Sequence, residues 1–201
     1  MADALAAAGG GDERLLGARG DLLDRARRAN RSVTDGPTLP AWQRFTGVVW
    51  DHLAPADLDG PAFERAEASV LVISALTGLS AWSDPVPDFR LKLSVPLGSL
   101  GRLDRYWREP LSALFDDHLA GHTVVDLLPN EHRAAWMPSS GRYDLIRPVL
   151  STPDGKPAGH GGKAAKGLLA RALLDDDDVD RVLATFDPTP LRLTVERPDH
   201  V

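Results

Sequence analysis

The sequence predicts an α+β protein, a single compact domain in which an irregular mixed sheet is surrounded by helices. Short apolar runs typical of buried strands occur between stretches of helical periodicity, without the regular βαβ rhythm of a doubly wound parallel sheet. The 201 residues suffice for one domain with a core. A hydrophobic share of 43% and a charged share of 26% are typical of globular proteins. We therefore expect residues 12–197 to form this domain, after a flexible N-terminal segment of residues 1–11.

Composition excludes several classes of protein. No apolar run approaches the roughly 20 residues that a membrane helix needs, and the Ala-rich start lacks the basic and long apolar segments of a signal peptide. We therefore expect a cytoplasmic protein with no membrane partner. Cysteine is absent, which excludes disulfides, thiolate metal sites and a cysteine nucleophile. The formal net charge of −6 argues against a protein that coats nucleic acid, but it leaves room for a local basic contact.

The N-terminal part of the chain has helical periodicity after a segment of small residues. Residues 1–11 end in three glycines, and for this reason we expect them to be flexible. Between Asp12 and Ser32 the apolar residues recur at helical spacing, which Gly17 and Gly20 interrupt. The pattern predicts two short helices joined by a tight turn.

In the middle of the chain, the spacing of apolar residues switches several times between the helical and the strand pattern. The continuous apolar run SVLVISA is typical of a buried strand, whereas the alternation in FRLKLSV is typical of a half-buried one. The longest amphipathic stretch contains Pro110, which we expect to kink or split its helix. The predicted elements are helices over residues 41–52 and 61–68, strands over 69–75 and 89–95, and a helix over 101–119.

The C-terminal part contains another apolar run, TVVDLL, which predicts a buried strand with Asp126 in its middle. A carboxylate at such a position needs a partner or a functional role. A Pro- and Gly-rich approach ends at Gly162, and a helical pattern opens at Lys163. The predicted elements are strands over residues 123–128 and 143–150, a helix from 163, a short helix over 178–185 and a closing strand over 191–196.

The helix that opens at Lys163 carries a candidate anion site. At 100° per residue, Lys163, Lys166 and Gly167 share one face, with Arg171 at its edge. Leu168 falls on the opposite face, which we expect to pack on a core. Two ammonium groups in a first turn repel each other and oppose the helix dipole, and a bound anion such as phosphate would relieve both costs. The alternative interpretation is a solvated surface helix.

A second basic region lies in the predicted N-terminal helix pair. A helix pair with a glycine turn can present backbone N–H groups and arginines to phosphates. The alternative is a solvated helix face. The candidate DNA-contacting residues are Arg25, Arg27, Arg28 and Arg31.

The predicted strand over 89–95 places Arg90 and Lys92 on one face. These two cations could line a polar cleft or simply face water, and the sequence leaves both open.

No motif for a metal or a cofactor is present. His118 and His122 are four residues apart, but Gly121 is expected to end the helix between them. The acidic run over 175–178 lacks the spacing and the glycine of a calcium loop, and it is typical of a solvated segment. We therefore predict no metal ion and no cofactor, and we assign no catalytic residue.

Five segments of the chain resemble the YaaA family of bacterial peroxide stress proteins, in the family's order and at about its spacing. The segments are TLPAWQRFTGVVWDHL, VLVISALTGLSAWSDPVPDFRLKLSVPL, LDRYWREPLSALF, TVVDLLPNEHRAAW and HGGKAAKGLLARAL. The chain looks like an actinobacterial member. It lacks the usual N-terminal strand and Pro-Pro-Ser-Glu-Gly-Lys loop, and Gly162 stands where relatives often have Asn.

The resemblance implies a cytosolic α+β protein with a basic cleft and a DNA-binding element similar to a helix-hairpin-helix, over about residues 13–31. It implies a role in protecting cells from hydrogen peroxide by limiting unincorporated iron. The family's polar positions fall on Arg90, Trp107, Asp126, His160, Lys163, Lys166, Gly167 and Arg171. The predicted anion- or phosphate-binding residues are Arg90, His160, Lys163, Lys166 and Arg171. The candidates for a polar cleft are Lys92, Trp107 and Asp126.

Three functional hypotheses remain open at this point. The first is a peroxide-stress protein that binds DNA, or a phosphate-bearing small molecule, through a basic cleft. The second is an enzyme acting on a small phosphate- or carboxylate-bearing substrate. In it Lys163, Lys166 and Arg90 would bind the anion, and His160 or Asp126 would act as acid or base. The third is a degenerate member that keeps the fold without activity. The sequence leaves the oligomeric state open, and it also leaves open whether the start is truncated or misassigned or a strand has been lost. If the first strand is lost, an exposed sheet edge could pair with a second chain.

Overall fold

Helices provide most of the regular structure in the computed structural model, which describes residues 1–139 and 141–198. Within these ranges no helix is long and apolar enough to span a membrane. The ten α-helices of the described residues are α1 (Ala2–Ala7), α2 (Glu13–Leu16), α3 (Gly20–Arg31), α4 (Ala41–Arg44), α5 (Val48–Leu53), α6 (Gly60–Ser69), α7 (Leu103–His118), α8 (Asn130–Arg133), α9 (Gly159–Asp175) and α10 (Val179–Thr185).

The strands of the described residues form three small sheets. The first sheet pairs β1 with β4 and the second pairs β2 with β3, both antiparallel. The third has the order β5-β6-β7 and is mixed, because β5 runs parallel and β7 antiparallel to β6. Helices and small sheets together confirm the predicted α+β class. The strands are β1 (Thr38–Pro40), β2 (Leu71–Ser74), β3 (Gly78–Ala81), β4 (Pro85–Pro87), β5 (Thr123–Val125), β6 (Asp144–Ser151) and β7 (Arg192–Glu196).

The chain divides into two compact units, each built from three separate segments. The first unit comprises Met1–Arg44, Leu71–His118 and Leu128–Ser139. The second comprises Phe45–Val70, Leu119–Leu127 and Ser140–Val201. The predicted limits of the domain, residues 12–197, stay a prediction.

The first unit begins with a helix where the sequence predicts a flexible segment. Helix α1 places Leu5 in the core with no exposed surface. The carbonyl oxygens of the three glycines that follow accept hydrogen bonds from side chains of α3. These bonds give the glycine segment defined partners, which its composition does not reveal.

The predicted strand over residues 89–95 does not form. Its apolar side chains do alternate toward the interior, and Leu93 is 2% exposed. Its backbone groups bond elsewhere, because the N–H groups of Leu103 and Asp104 at the start of α7 donate to the Val95 and Leu93 carbonyls. An extended segment that caps a helix in this way has fewer groups left for a partner strand.

Two helix predictions also need correction. The single helix predicted over 41–52 is interrupted at Gly47, whose φ of 109° is outside the helical range, so α4 and α5 are separate. Helix α7 runs from Leu103 to His118 without a split at Pro110, and the kink expected there stays a prediction. A proline inside a helix removes one backbone donor, and the buried side chains of Leu111 and Phe115 continue the apolar face beyond it.

The core of the second unit lies where α9 and α10 pack on the mixed sheet. Its fully buried cluster comprises Ile146, Leu169, Val182 and Leu183. The predicted strands over 143–150 and 191–196 and the predicted helix over 178–185 are confirmed within a residue or so at each end. Strand β5 is shorter than predicted and ends at Val125, so Asp126 follows the strand instead of lying in its middle.

Candidate functional site

The α2–α3 hairpin contains a tight glycine turn. Asp12 caps α2, and its Oδ1 atom accepts a hydrogen bond from the Leu15 N–H at 2.8 Å. Gly17 ends α2 in the left-handed region with φ 56°, and Gly20 begins α3 with φ 55°. Such values favour glycine over residues with a Cβ atom. The predicted pair of helices with a glycine turn is therefore confirmed.

Two cations from the segment after β4 lie against this turn. The Arg90 Nε atom donates to the carbonyl of Leu16 at 2.8 Å, and its Nη2 atom donates to that of Gly17 at 3.4 Å. Arg90 therefore caps the negative end of α2. Lys92 is exposed, and a Cβ atom on Gly17 would lie 2.5 Å from the Lys92 Cε atom. The aliphatic end of Lys92 thus covers the turn and holds its ammonium group beside it.

The four predicted DNA-contacting arginines fall into two pairs. The Nε atoms of Arg27 and Arg31 donate to carbonyls of the glycine segment after α1, at 2.8 and 2.9 Å, and so dock α3 on that segment. Arg25 and Arg28 are exposed, and neither side chain has a hydrogen bond or an ion pair within the described part of the chain. Only the second pair is available to bind an external anion without giving up an internal contact.

Asn30 holds the hairpin on the rest of the first unit. It is 1% exposed, and its Nδ2 atom donates to the carbonyls of Gly10 at 2.8 Å and Arg90 at 3.0 Å. Its Oδ1 atom accepts the Arg90 N–H at 2.8 Å. The sequence analysis missed this residue. A polar Asn in the buried register of α3, after Leu23 and Ala26, was the available signal.

Trp107, a candidate for the polar cleft, packs inside the first unit. Its indole Nε1 atom donates to the Ala75 carbonyl at 2.9 Å, and its ring meets Tyr106 edge to face. A Cβ atom on Gly78 would lie 2.6 Å from that ring, so glycine is needed beside it. These contacts give Trp107 a structural role, and its place in a cleft stays a prediction.

Helix α9 begins earlier than predicted, which changes its N-terminal site. It starts at Gly159, so the first turn holds His160 and the glycines, and Lys163 comes only in the second turn. The predicted pair of ammonium groups in the first turn is therefore wrong. His160 and Lys163 are exposed, and in the described residues neither side chain has a partner.

The other two cations of α9 have structural contacts. The Lys166 Nζ atom donates to the Leu127 carbonyl at 3.1 Å. Arg171 forms a two-atom ion pair with Asp175, with both Nε to oxygen distances at 3.0 Å, and its Nη2 atom donates to the Asp57 carbonyl at 3.1 Å. The predicted anion-binding roles of Lys166 and Arg171 are untested, and an anion would have to compete with these contacts.

The faces of α9 agree only in part with the prediction, since Ala165 and Leu169 of the expected core face are buried. Gly167, predicted on the cationic face, is buried against α5, and a Cβ atom there would lie 2.7 Å from the His52 Cβ atom. Leu168, predicted to pack on a core, is 50% exposed. Because glycine has no side chain, α5 fits closely against α9 at Gly167. The face of α9 that contains Gly167 is therefore packed against another helix.

Asp126, the remaining candidate, is one half of a buried ion pair. Its side chain has no exposed surface, and the Arg147 Nε atom donates to its Oδ2 atom at 3.0 Å. Such a pair is expected for a carboxylate that cannot stay charged alone in the interior. The sequence analysis expected this carboxylate to have a partner or a functional role, and Arg147 is its partner. The predicted role of Asp126 in a cleft stays a prediction.

The candidate residues fall into two groups that belong to different units. Arg90 and Lys92 lie against the glycine turn and the arginines lie along α3, all in the first unit, while the α9 cations and Asp126 lie in the second. Among the residues that the structure describes, no group of three or more His, Asp or Glu side chains could hold a metal ion.

Comparison with known proteins connects the hairpin to a family. A family model described as peroxide stress protein YaaA matches residues 13–185, starting at the first residue of α2. The chain belongs to this family. The resemblance carried by the five sequence segments is thereby confirmed.

Three relatives illustrate the range of similarity. A UPF0246 protein of Streptomyces coelicolor is 34% identical over 163 residues, which cover 80% of this chain and 62% of the relative. One from Corynebacterium glutamicum is 30% identical over 164 residues, 80% of this chain and 64% of the relative. One from Ruegeria pomeroyi is 26% identical over 188 residues, which cover 87% of this chain and 73% of the relative. The chain thus spans less than two thirds of the first two relatives.

Proposed function

We propose that this member of the peroxide stress family binds DNA through its phosphate backbone, at a surface of the α2–α3 hairpin. This hairpin surface comprises the Gly17–Gly20 turn together with Lys92, Arg25 and Arg28. The observation that carries the proposal is that Lys92, which lies against the turn, and Arg25 and Arg28, which lie farther along α3, are exposed cations without partners among the described residues. Binding there would place the protein's protective role at nucleic acid under peroxide stress.

The backbone of the turn can contribute donors as well as the side chains. The first α3 residue whose N–H bonds within the helix is Leu23, which donates to the Arg19 carbonyl. Arg19 is the N-cap and makes no capping hydrogen bond with its side chain. The backbone N–H groups of the α3 residues before Leu23 therefore have no carbonyl acceptor within the helix. Such groups at a helix N-terminus can donate hydrogen bonds to a phosphate oxygen.

Two of the neighbouring acidic groups pair with other arginines, and neither exposed arginine forms an ion pair within the described residues. Glu13 forms an ion pair with Arg19 at 3.3 Å, and Asp24 lies 3.7 Å from Arg27. Arg25 and Arg28 lie about 8 and 12 Å along α3 from its first residue, at about 1.5 Å per residue. The two exposed arginines therefore add cations along the helix, beside the exposed carboxylates of Asp21 and Asp24.

Phosphate contacts of this type predict strong salt dependence and little preference for sequence, since phosphates are the same at every base. The test is fluorescence anisotropy of a labelled duplex across a salt series, with wild type beside the double variant Arg25→Ala/Arg28→Ala. We expect weaker binding and a salt slope reduced by about 2, about 1 for each arginine that no longer neutralises a phosphate.

The matched control is Arg105→Ala/Arg142→Ala, which removes two exposed cations elsewhere and so changes the net charge equally. If both double variants lose the same amount of DNA affinity, the loss is explained by net charge alone. That outcome would contradict the assignment of the contact to the hairpin. A wild type that does not bind at low salt would reject the proposed function altogether.

Two further variants refine the position of the contact. Asp21 lies in the first turn of α3, where it repels a phosphate, so Asp21→Asn should strengthen binding. The α9 site predicted from the sequence is tested by Lys163→Ala, which removes an exposed side chain. If Lys163→Ala weakens binding while the hairpin double variant does not, the contact belongs to α9.

A further inference from the structure

The mixed sheet of the second unit ends in an open strand. The order β5-β6-β7 makes β7 an edge, and four of its five residues are exposed. Val195 keeps 39% of its surface accessible although it is apolar. Open edges offer unpaired backbone groups to another strand, so such an edge has to be protected or used.

The pairing of β6 determines which backbone groups of β7 face this open side. The Asp126 N–H donates to the Ile146 carbonyl, so Ile146 directs its backbone groups toward β5. Its neighbour Arg147 directs its own toward β7, where it lies opposite Glu196. Because hydrogen-bonding direction alternates along a strand, every second residue of β7 bonds to β6.

The remaining two residues of β7, Leu193 and Val195, therefore direct their N–H and C=O groups outward. The register agrees, because Val195 lies opposite Pro148, which has no N–H to offer it. The edge thus presents two outward pairs of donors and acceptors, spaced two residues apart, as an antiparallel partner strand requires.

We propose that two copies of this chain associate by antiparallel pairing of β7 with β7 around a twofold axis at Thr194. In this register Leu193 of one copy lies opposite Val195 of the other, and these outward-facing residues exchange backbone hydrogen bonds. Arg192 lies opposite Glu196 of the second copy, in a pair without backbone hydrogen bonds, where side chains are closest. The proposal is independent of DNA binding.

The charges of β7 support a second copy as the occupant. Neither Arg192 nor Glu196 forms an ion pair within the described part of the chain, and both are exposed. Glu196 faces Arg147 across the sheet, but the Arg147 Nε atom is bonded to Asp126. Charges of one sign would repel an identical strand, whereas opposite charges equidistant from Thr194 attract it twice.

The apolar side chains of β7 are also complementary between two copies of the chain. Leu193 packs against the core cluster of the second unit, and Val195 lies on the same face but is exposed. In the proposed dimer, Leu193 of the second copy covers Val195. The pairing joins two three-stranded sheets into one six-stranded sheet, through a contact small enough to be a weak association.

The test begins with sedimentation velocity of the wild-type chain over a concentration series that reaches the high micromolar range. We expect a monomer–dimer equilibrium. Arg192→Glu and Glu196→Arg each place like charges opposite one another twice, and each should weaken dimerisation about tenfold. An equimolar mixture of the two variants restores opposite charges in both pairs, so it should dimerise at least as well as wild type.

A backbone variant separates the strand edge from other surfaces. Val195→Pro removes an N–H that points outward and leaves the bonds to β6 in place, so it should abolish the dimer with an unchanged circular dichroism spectrum. A wild type that stays monomeric throughout the series overturns the proposal. So does a dimer that persists in Val195→Pro or in both charge variants, since it would use another surface.

Discussion

At the scale of single residues, Gly167 shows how a missing side chain determines packing in the second unit. A Cβ atom at this position would lie 2.7 Å from the His52 Cβ atom and 3.1 Å from the Leu53 nitrogen. Distances that short force the neighbouring helix to move. The close approach of α5 to α9 therefore depends on glycine.

We expect Gly167→Ala to lower the free energy of unfolding by about 1–3 kcal/mol, the usual cost of overpacking, even though alanine favours helix formation. Urea denaturation measures the change. The control is Gly161→Ala in the same helix, where the closest contact is 3.9 Å and stability should be unchanged or slightly raised. Equal stability of the two variants would show that α5 accommodates the methyl group.

The cations of the chain show what sequence reasoning can and cannot predict at this scale. The type and position of Arg90, Lys166 and Arg171 are evident from the sequence, and each was expected to bind an anion. In the structure each donates to backbone carbonyl groups instead. Such carbonyls become available only where a helix or strand ends, and these ends depend on tertiary structure.

At the scale of elements, the α2–α3 hairpin is held in place by a side chain at its far end. Helix α2 has four residues and cannot be stable alone. Asn30, at the other end of α3, bonds to both the glycine segment and the Arg90 backbone. Arg90 in turn caps α2, so one buried amide supports the whole hairpin.

Asn30→Ala leaves two carbonyls and one N–H without their partner, so we expect a loss of about 2–3 kcal/mol in the free energy of unfolding. Urea denaturation tests the loss. Ser32→Ala, an exposed substitution just after α3, should change stability by about 0.5 kcal/mol or less. A similar small effect of Asn30→Ala would mean that water or another group satisfies these atoms.

Most helices and strands could be predicted from periodicity and glycine placement, and two segments show where that reasoning fails. The segment over 89–95 has the alternation of a strand, but its carbonyls cap α7. Helix α9 begins at Gly159, where three glycines and a histidine give no helical signal. In the first segment, hydrogen bonds to residues 8 and 11 positions further along the chain outweigh the local preference.

At the scale of the whole molecule, the pH dependence of stability should depend on His132. Burial lowers the pKa of this imidazole more than the carboxylate of Glu131 raises it. Its Nδ1 atom is buried, and in the described part of the chain it has no hydrogen-bond partner. A proton there would create a charge without compensation.

Because the pKa of His132 is lower in the folded chain, the unfolded chain takes up its proton first as the pH falls. The contribution to stability is complete above about pH 6.5 and is lost as the pH falls through that value. We expect His132→Gln to lose less stability than wild type between about pH 7.5 and about pH 5.5 in urea denaturation.

The control is His122→Gln, an exposed histidine, which should follow the wild-type pH dependence. Asp104, whose pKa is lowered by its hydrogen bond to Arg102, titrates below its ordinary value of 3.8 and so outside this range. An unchanged pH dependence in His132→Gln would show that another group controls it.

The discontinuous second unit also has a consequence for the order of events on the ribosome. Arg65 in α6 donates to the Leu174 carbonyl in α9, across 109 residues of sequence. At a synthesis rate of about 5–20 residues per second, about 5–20 s pass between the synthesis of Arg65 and that of Leu174. During that interval α5 and α6 expose the surfaces that α9 later covers, and nascent chains halted before residue 159 should bind chaperones most strongly.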